Sequence, residues 1–272
     1  REKIWKCEIG VVFMKQRIIS SLIMLPLLVF LYVGGGPLYC IGLVVMAIGL
    51  HEFYTAFNNI GHSPIKELGY LYAIMVFLIN IFSWNKESYA VGMYLTFVIG
   101  IVYVLLHRAD VMDLIITFSG IFYVCLCFNY IIRLFDMGEK GYLYVWLIFI
   151  ISFATDIFAY FIGRRFGSHK LIPSVSPKKT IEGSMGGVVA SVVFSVLFGL
   201  IFKLQIGPIF LVGLLGSAVA QMGDLIASSI KRYVGIKDFG RLIPGHGGIL
   251  DRFDSVLLVA PYVYLILSLF AV

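Results

Sequence analysis

Long apolar runs separated by short polar loops cover almost the whole chain of 272 residues. A helix needs about 20 apolar residues to cross a bilayer, and most of the runs reach that length. The first and third runs are shorter and are compatible with tilted or re-entrant segments. The pattern predicts an all-α, polytopic integral membrane protein with about nine transmembrane helices. The predicted spans are 18–33, 37–57, 67–84, 89–107, 112–132, 142–163, 183–203, 208–230 and 249–271.

The composition agrees with this pattern. Hydrophobic residues make up 60% of the chain and charged residues only 13%, whereas soluble domains carry about 25% charged residues. The chain has too few charged side chains to cover a water-soluble surface. The composition therefore excludes a soluble enzyme, a nucleic-acid-binding module and a disordered protein.

The charge distribution predicts how the chain is oriented. The net charge is +6, and most lysines and arginines fall on the N-terminal side of the predicted spans, including those of the two longest loops, 164–182 and 231–248. Basic residues concentrate in cytoplasmic loops, so this face is predicted to be cytoplasmic. We expect a multi-pass protein of the cell inner (cytoplasmic) membrane that binds no nucleic acid.

The chain reads as one domain. Met14 precedes the first apolar run and resembles a natural start, so we expect residues 1–13 to be an N-terminal tail. Residues 14–272 are predicted to form a single transmembrane domain, because no repeat, low-complexity tract or linker divides them.

Of the carboxylates inside the predicted spans, four stand out because each lies within about 10 Å of the cytoplasmic end. A charged group in the membrane costs free energy and is a functional candidate by default. The structural alternative is that these acids only form salt bridges with nearby lysines and arginines. The four are Asp156, Asp224, Asp251 and Asp254.

The spacing of Asp251 and Asp254 places both on one helical face, where like charges repel unless a cation lies beside them. Hard oxygen ligands favour magnesium or calcium over zinc. With Asp224 at a similar depth, the pattern predicts a divalent metal site.

The two cytoplasmic loops carry groups suited to phosphate. Gly245, Gly247 and Gly248 precede the Asp251 helix, and such glycines allow backbone N–H groups to approach an anion. Two lysines in the segment 176–183 stand beside a helix start, which would suit a polyphosphate. The alternative for this loop is a basic flank that has no function beyond orientation.

These segments resemble a known signature. Residues 228–232, then Lys237, Asp238 and Gly240, then 244–254 are similar to the phosphatidate cytidylyltransferases, also called CDP-diacylglycerol synthases. The chain also resembles this family at Asp156, at Ala159-Tyr160 and through 176–183, with Ile181 where many members have tryptophan. The resemblance covers the C-terminal 120 residues, whereas the first 140 match only as apolar spans.

The resemblance implies that CTP and phosphatidate react to give CDP-diacylglycerol and pyrophosphate. It implies a magnesium-dependent, homodimeric, all-helical membrane enzyme whose catalytic part covers about 142–272. The acids Asp224, Asp251 and Asp254 would map onto the metal ligands, and the family implies a monovalent ion such as K⁺ as a second metal.

A mechanism consistent with both lines of argument is in-line attack of the lipid phosphate on the α-phosphorus of CTP, assisted by the metal. The catalytic residues are predicted to be Asp224, Asp251, Asp254, His246, Lys231 and Arg232. The predicted substrate-binding residues are Asp156, Ser176, Lys178, Lys179, Thr180, Glu182, Lys237, Asp238, Gly247 and Gly248. The pattern does not divide the basic residues between CTP and the lipid phosphate.

Three alternatives compete with this hypothesis. An ion- or proton-coupled transporter also carries membrane carboxylates, although transporter sites lie near the midplane between repeats. A CTP-dependent enzyme acting on an isoprenoid or archaeal-type lipid would have similar site chemistry. A structural scaffold would need none of the acids.

Overall fold

The computed structural model describes residues 33–242 and 247–270. The predicted tail, all but the last residue of the predicted first span, and His246 lie outside these residues.

The described chain is almost entirely helical, as its apolar runs predict. A π-helical segment, Ile121–Leu126, joins α4 to α5 so that the two form one continuous rod. The helices are α1 (Gly35–Asn58), α2 (Lys66–Ile81), α3 (Glu87–Leu105), α4 (Val111–Gly120), α5 (Cys127–Phe135), α6 (Gly141–Phe166), α7 (Ile181–Ile201), α8 (Ile206–Tyr233) and α9 (Leu250–Leu269).

Within the described residues, seven helical segments are long and apolar enough to cross a membrane, counting the α4–α5 rod as one. The all-α, multi-pass class is therefore confirmed, but not the count of about nine. One of the two remaining predicted spans, 18–33, lies outside the described residues except for its last residue. The other corresponds to α2, whose 16 residues extend about 24 Å, short of a typical hydrocarbon core of about 30 Å.

A small hairpin occupies the first of the two long loops, where the sequence predicted only a loop. Strand β1 (Lys170–Ile172) pairs antiparallel with β2 (Ser176–Thr180), and Lys170 stands opposite Thr180. The hairpin leads directly into α7, so β2 delivers its lysines to the start of that helix.

The described residues group into two compact units. The first comprises those of Arg1–Ile121 and Ile236–Arg252, and the second those of Phe122–Gly235 and Phe253–Val272. The domain boundaries expected at 14 and 142 stay predictions.

The first unit is built around the side chain of Tyr54 on α1, which is fully buried. Gly69 of α2 and Gly120 of α4 lie so close to the Tyr54 ring that a Cβ on either would collide with it. The Tyr54 hydroxyl donates a hydrogen bond to the carbonyl oxygen of Thr117, 2.8 Å away. Glycines on two helices thus leave room for one large aromatic ring.

The second unit packs α6, α7 and α8 through small residues, the usual way in which membrane helices approach closely. A Cβ on Gly183 of α7 would lie 2.5 Å from the carbonyl oxygen of Ala159 and 3.0 Å from Gly163 on α6. Thr155 of α6 donates a hydrogen bond to the Ser217 hydroxyl of α8, at 2.9 Å. This close packing fixes the helix ends that carry the candidate site.

Candidate active site

A cavity of about 660 Å³ lies in the second unit, beside the hairpin and the adjoining ends of α6 and α7. Its volume is within the range of about 300–1,000 Å³ that is typical of small-molecule sites. Four cationic side chains and one carboxylate, that of Asp156, line the cavity. Because the cations outnumber the carboxylate, the cavity favours an anionic ligand. The charged and hydroxyl side chains are Asp156, Tyr160, Arg164, Lys170, Ser176, Lys178, Lys179, Thr180 and Ser184.

Lys179 connects this cavity to a membrane carboxylate. It extends from the end of β2, and its ammonium group forms an ion pair with the carboxylate of Asp224 on α8. Both side chains are about a quarter exposed. A partly buried pair is screened less by salt than a surface pair is, and removing one partner leaves the other charge poorly solvated.

The start of α7 is held by two side chains that the sequence predicted to bind substrate. Thr180 is the N-cap residue, and its hydroxyl accepts the N–H of Gly183 at 3.2 Å. Glu182 accepts the backbone N–H of His169 at 3.2 Å and lies 2.7 Å from His169 Nδ1. The contacts of Glu182 join α7 to His169, the residue before β1. Thr180 and Glu182 therefore both position the hairpin.

Asp254 lies among charged groups of the same unit. Its electrostatic neighbours are Asp224, Asp156 and Lys231. Ser255, the next residue on α9, donates its hydroxyl to Asp156 Oδ2 at 3.3 Å. The backbone of α9 comes close to α8 here, because a Cβ on Gly223 would collide with the carbonyl oxygen of Asp254.

Asp251 belongs to the first unit and is buried, with 6% of its surface exposed. Its Oδ2 atom accepts the backbone N–H groups of Phe239 and Gly248, at 2.8 and 2.9 Å. Gly247 has a φ of +87°, and a Cβ there would lie 2.8 Å from Asp251 Oδ2. The carboxylate therefore organises the glycine-containing turn that precedes α9.

Sequence reasoning missed the buried acid Glu52 of α1, which is 5% exposed. Its carboxylate oxygens accept the N–H groups of Ile249 and Leu250 at 3.0 and 2.9 Å. The sequence did contain a feature that could have identified Glu52, because it is a carboxylate inside an apolar span. The same feature identified the four aspartates.

The predicted site residues divide between the two units. The second unit brings Ser176, Lys178, Lys179, Thr180 and Asp156 to one cavity, with Asp224, Asp254 and Lys231 as charged neighbours. The exposed Arg232 also belongs to this unit. The first unit holds Lys237, Asp238, Gly247, Gly248 and Asp251, of which the first two are exposed. His246 lies outside the described residues.

The carboxylates suit magnesium by their chemistry, since it prefers hard oxygen ligands. Among the described residues, no three His, Cys, Asp or Glu side chains are gathered closely enough to hold a metal ion by themselves. Magnesium commonly uses one or two carboxylates together with water and substrate phosphates, and does not need an all-protein cage. Asp224 and Asp254 are electrostatic neighbours and could supply these one or two carboxylates.

Comparison with known proteins decides the family. The cytidylyltransferase family matches residues 15–270. The chain belongs to this family. This match and the named relatives below confirm the resemblance to phosphatidate cytidylyltransferases and the assignment as a nucleotidyltransferase.

Individual relatives agree with the family match, and each is named phosphatidate cytidylyltransferase. The protein of Staphylococcus haemolyticus is 33% identical over 259 residues, which is 92% of this chain and 96% of that protein. That of Staphylococcus epidermidis is 34% identical over 256 residues, with the same coverage. That of Bacillus subtilis is 40% identical over 158 residues, 57% of this chain and 58% of the relative.

Proposed function

We propose that this chain transfers a cytidylyl group from CTP to phosphatidate, forming CDP-diacylglycerol and pyrophosphate for phospholipid synthesis. The observation that carries the proposal is the cavity lined by Arg164, Lys170, Lys178 and Lys179 beside the Lys179–Asp224 pair. A nucleoside triphosphate and a lipid phosphate are both anionic, and the cavity has the cations and the volume to hold phosphate groups. The names of the relatives support these two substrates.

The reaction is an in-line displacement at phosphorus. An oxygen of the lipid phosphate forms a bond to the α-phosphorus of CTP, while the bond from that phosphorus to the bridging oxygen of the β-phosphate breaks. Pyrophosphate leaves with the electron pair. The attacking oxygen is already anionic, so no general base is required, and positioning together with charge neutralisation supplies most of the rate.

The residues of the second unit have distinct roles in this scheme. Lys178 and Lys179 hold the triphosphate at the start of α7, where the backbone dipole also favours an anion. Ser176 and Thr180 flank them on β2. Lys231 balances the negative charge of Asp254. In the first unit, Lys237 is exposed and available to a phosphate group.

Magnesium would be held by Asp224 and Asp254, and Asp251 stays a predicted ligand. When bound, it would neutralise charge on the phosphate oxygens. If it does so, Asp254→Asn lowers turnover strongly even at saturating magnesium, and near-normal turnover would refute this assignment. Asp136→Asn, on the loop between α5 and α6, is the matched control. The monovalent second ion stays a prediction.

Orientation and assembly follow from the same proposal. The cavity and the hairpin face the cytoplasm, where CTP is available, while phosphatidate stays in the adjacent leaflet. A homodimer is part of the proposal by family resemblance.

Product identification tests the function. The purified protein is mixed with CTP, magnesium and one acceptor at a time: phosphatidate, an isoprenoid alcohol or an archaeal-type lipid phosphate. We expect a CDP-lipid and pyrophosphate with phosphatidate. A product formed only with one of the other acceptors would overturn the substrate assignment, and no product with any acceptor would overturn the reaction.

A further inference from the structure

The carboxylate of Glu52 lies at the start of a helix that is distant in the sequence. Its Oε1 accepts the N–H of Ile249 and its Oε2 that of Leu250, 197 and 198 residues further along the chain. The first N–H groups of a helix have no partner within it, and a buried helix end needs such acceptors. Glu52 of α1 therefore caps α9 from outside.

The surrounding backbone is shaped to fit this carboxylate. A Cβ on Gly240 or on Gly248 would collide with the Glu52 side chain. Phe239, next to Gly240, stacks on Phe53, the neighbour of Glu52, with ring centroids 6.5 Å apart and planes 26° apart. The segments 239–240 and 247–250 thus both dock on α1 around one acid.

The same two segments are bound by Asp251. Its Oδ2 accepts N–H groups from Phe239 and from Gly248, one in each segment. Glu52 binds the next two amides, those of Ile249 and Leu250. Because the two carboxylates hold adjacent groups of one turn, a change at Glu52 will shift the turn that orients Asp251.

We propose that Glu52 is a positioning residue that docks segments 239–240 and 247–251 on α1 and thereby fixes Asp251. The inference rests on the proposed function, in which Asp251 is a predicted magnesium ligand. A carboxylate is required because both of its oxygens accept hydrogen bonds. Glutamine has only one acceptor oxygen and would turn an NH₂ donor towards a backbone N–H.

The test compares Glu52→Gln with Glu87→Gln, which removes the same charge at an exposed position on α3. Hydrogen–deuterium exchange of the substrate-free protein is followed in the peptide covering 247–254. We expect faster exchange in Glu52→Gln alone. In the assay with CTP and phosphatidate, we expect kcat to fall about 10- to 100-fold, the usual effect of losing a partner behind an active-site carboxylate. The KM for phosphatidate should stay within about twofold of the wild-type value, as expected for a residue that touches no lipid.

Unchanged exchange in the 247–254 peptide, or unchanged kcat, would overturn the proposal. The exchange measurement needs no reaction, so it still decides the docking if the wild-type protein makes no CDP-lipid and the proposed function fails. If Glu52→Gln does not accumulate in the membrane, Gly240→Ala is the second variant. It keeps the acid but crowds it, and must give the same two effects.

Discussion

The ammonium group of Lys179 forms an ion pair with the carboxylate of Asp224. This pair joins the hairpin, which lines the cavity, to a membrane helix that carries one of the predicted metal ligands. A substrate phosphate entering the cavity would meet a lysine that a carboxylate already holds in place.

Lys179→Met will lower kcat/KM for CTP by about 100-fold, because it removes a positioned cation and leaves Asp224 without its partner. Lys179→Arg keeps the charge and should recover part of the activity. Transfer of radiolabel from CTP to lipid measures the effect. Lys203→Met, on the exposed loop before α8, is the control and should behave like the wild type. Equal activity of Lys179→Met and the control would contradict the role of Lys179.

Gly183→Ala will destabilise the second unit by about 1–3 kcal/mol, the usual cost of overpacking. The added Cβ would press on the carbonyl oxygen of Ala159 and on Gly163, both on α6. Thermal unfolding in detergent should show the loss. Gly207→Ala is the matched control, since a Cβ there meets nothing within 4 Å, and its midpoint should not fall. A midpoint for Gly183→Ala equal to that of the control would argue against the close α6–α7 contact.

Glu182→Ala will raise the KM for CTP several-fold and change the unfolding midpoint little. The side chain joins α7 to His169 before β1, so its loss frees the hairpin without opening the helix packing. Steady-state kinetics over a range of CTP concentrations checks this, with Glu139→Ala as the exposed control. A fall in kcat at unchanged KM would assign Glu182 a different role.

Orientation can be tested with two cysteines in the loops on either side of α6. In a variant with Cys7 and Cys40 replaced by serine, Glu139→Cys should react with an impermeant maleimide added to intact cells. Ser174→Cys, in the hairpin turn, should react only after the cells are opened. The reverse pattern would place the cavity on the outer face and contradict a cytoplasmic site.

The sequence predicts most of the spans and singles out aspartates on them, because both depend on local pattern. Length and apolarity alone place most of the helices, and the spacing of Asp251 and Asp254 correctly puts both on one helix, α9. The partners of these side chains could not be predicted. Nothing local indicates that Lys179 pairs with Asp224, or that Glu52 binds amides 197 residues away, since such contacts depend on how the helices pack.

The hairpin shows a second limit. Lys170 and Thr180 carry no strong strand pattern, and the positive charge of this segment is also expected of a plain cytoplasmic loop. The strands form where the chain leaves α6 and returns to α7, two helices held together by glycine contacts. Tertiary packing therefore determines the hairpin, and with it the position of Lys178 and Lys179.

The central claim is cytidylyl transfer from CTP to phosphatidate, and the fate of two labels tests it most directly. Purified protein receives phosphatidate, magnesium and CTP labelled with ³²P at either the α- or the γ-phosphate. The account predicts that the α-label appears in the lipid as CDP-diacylglycerol, and that the γ-label appears in an equal amount of pyrophosphate. A γ-label in the lipid, or no nucleotide-dependent labelling of the lipid, would contradict it.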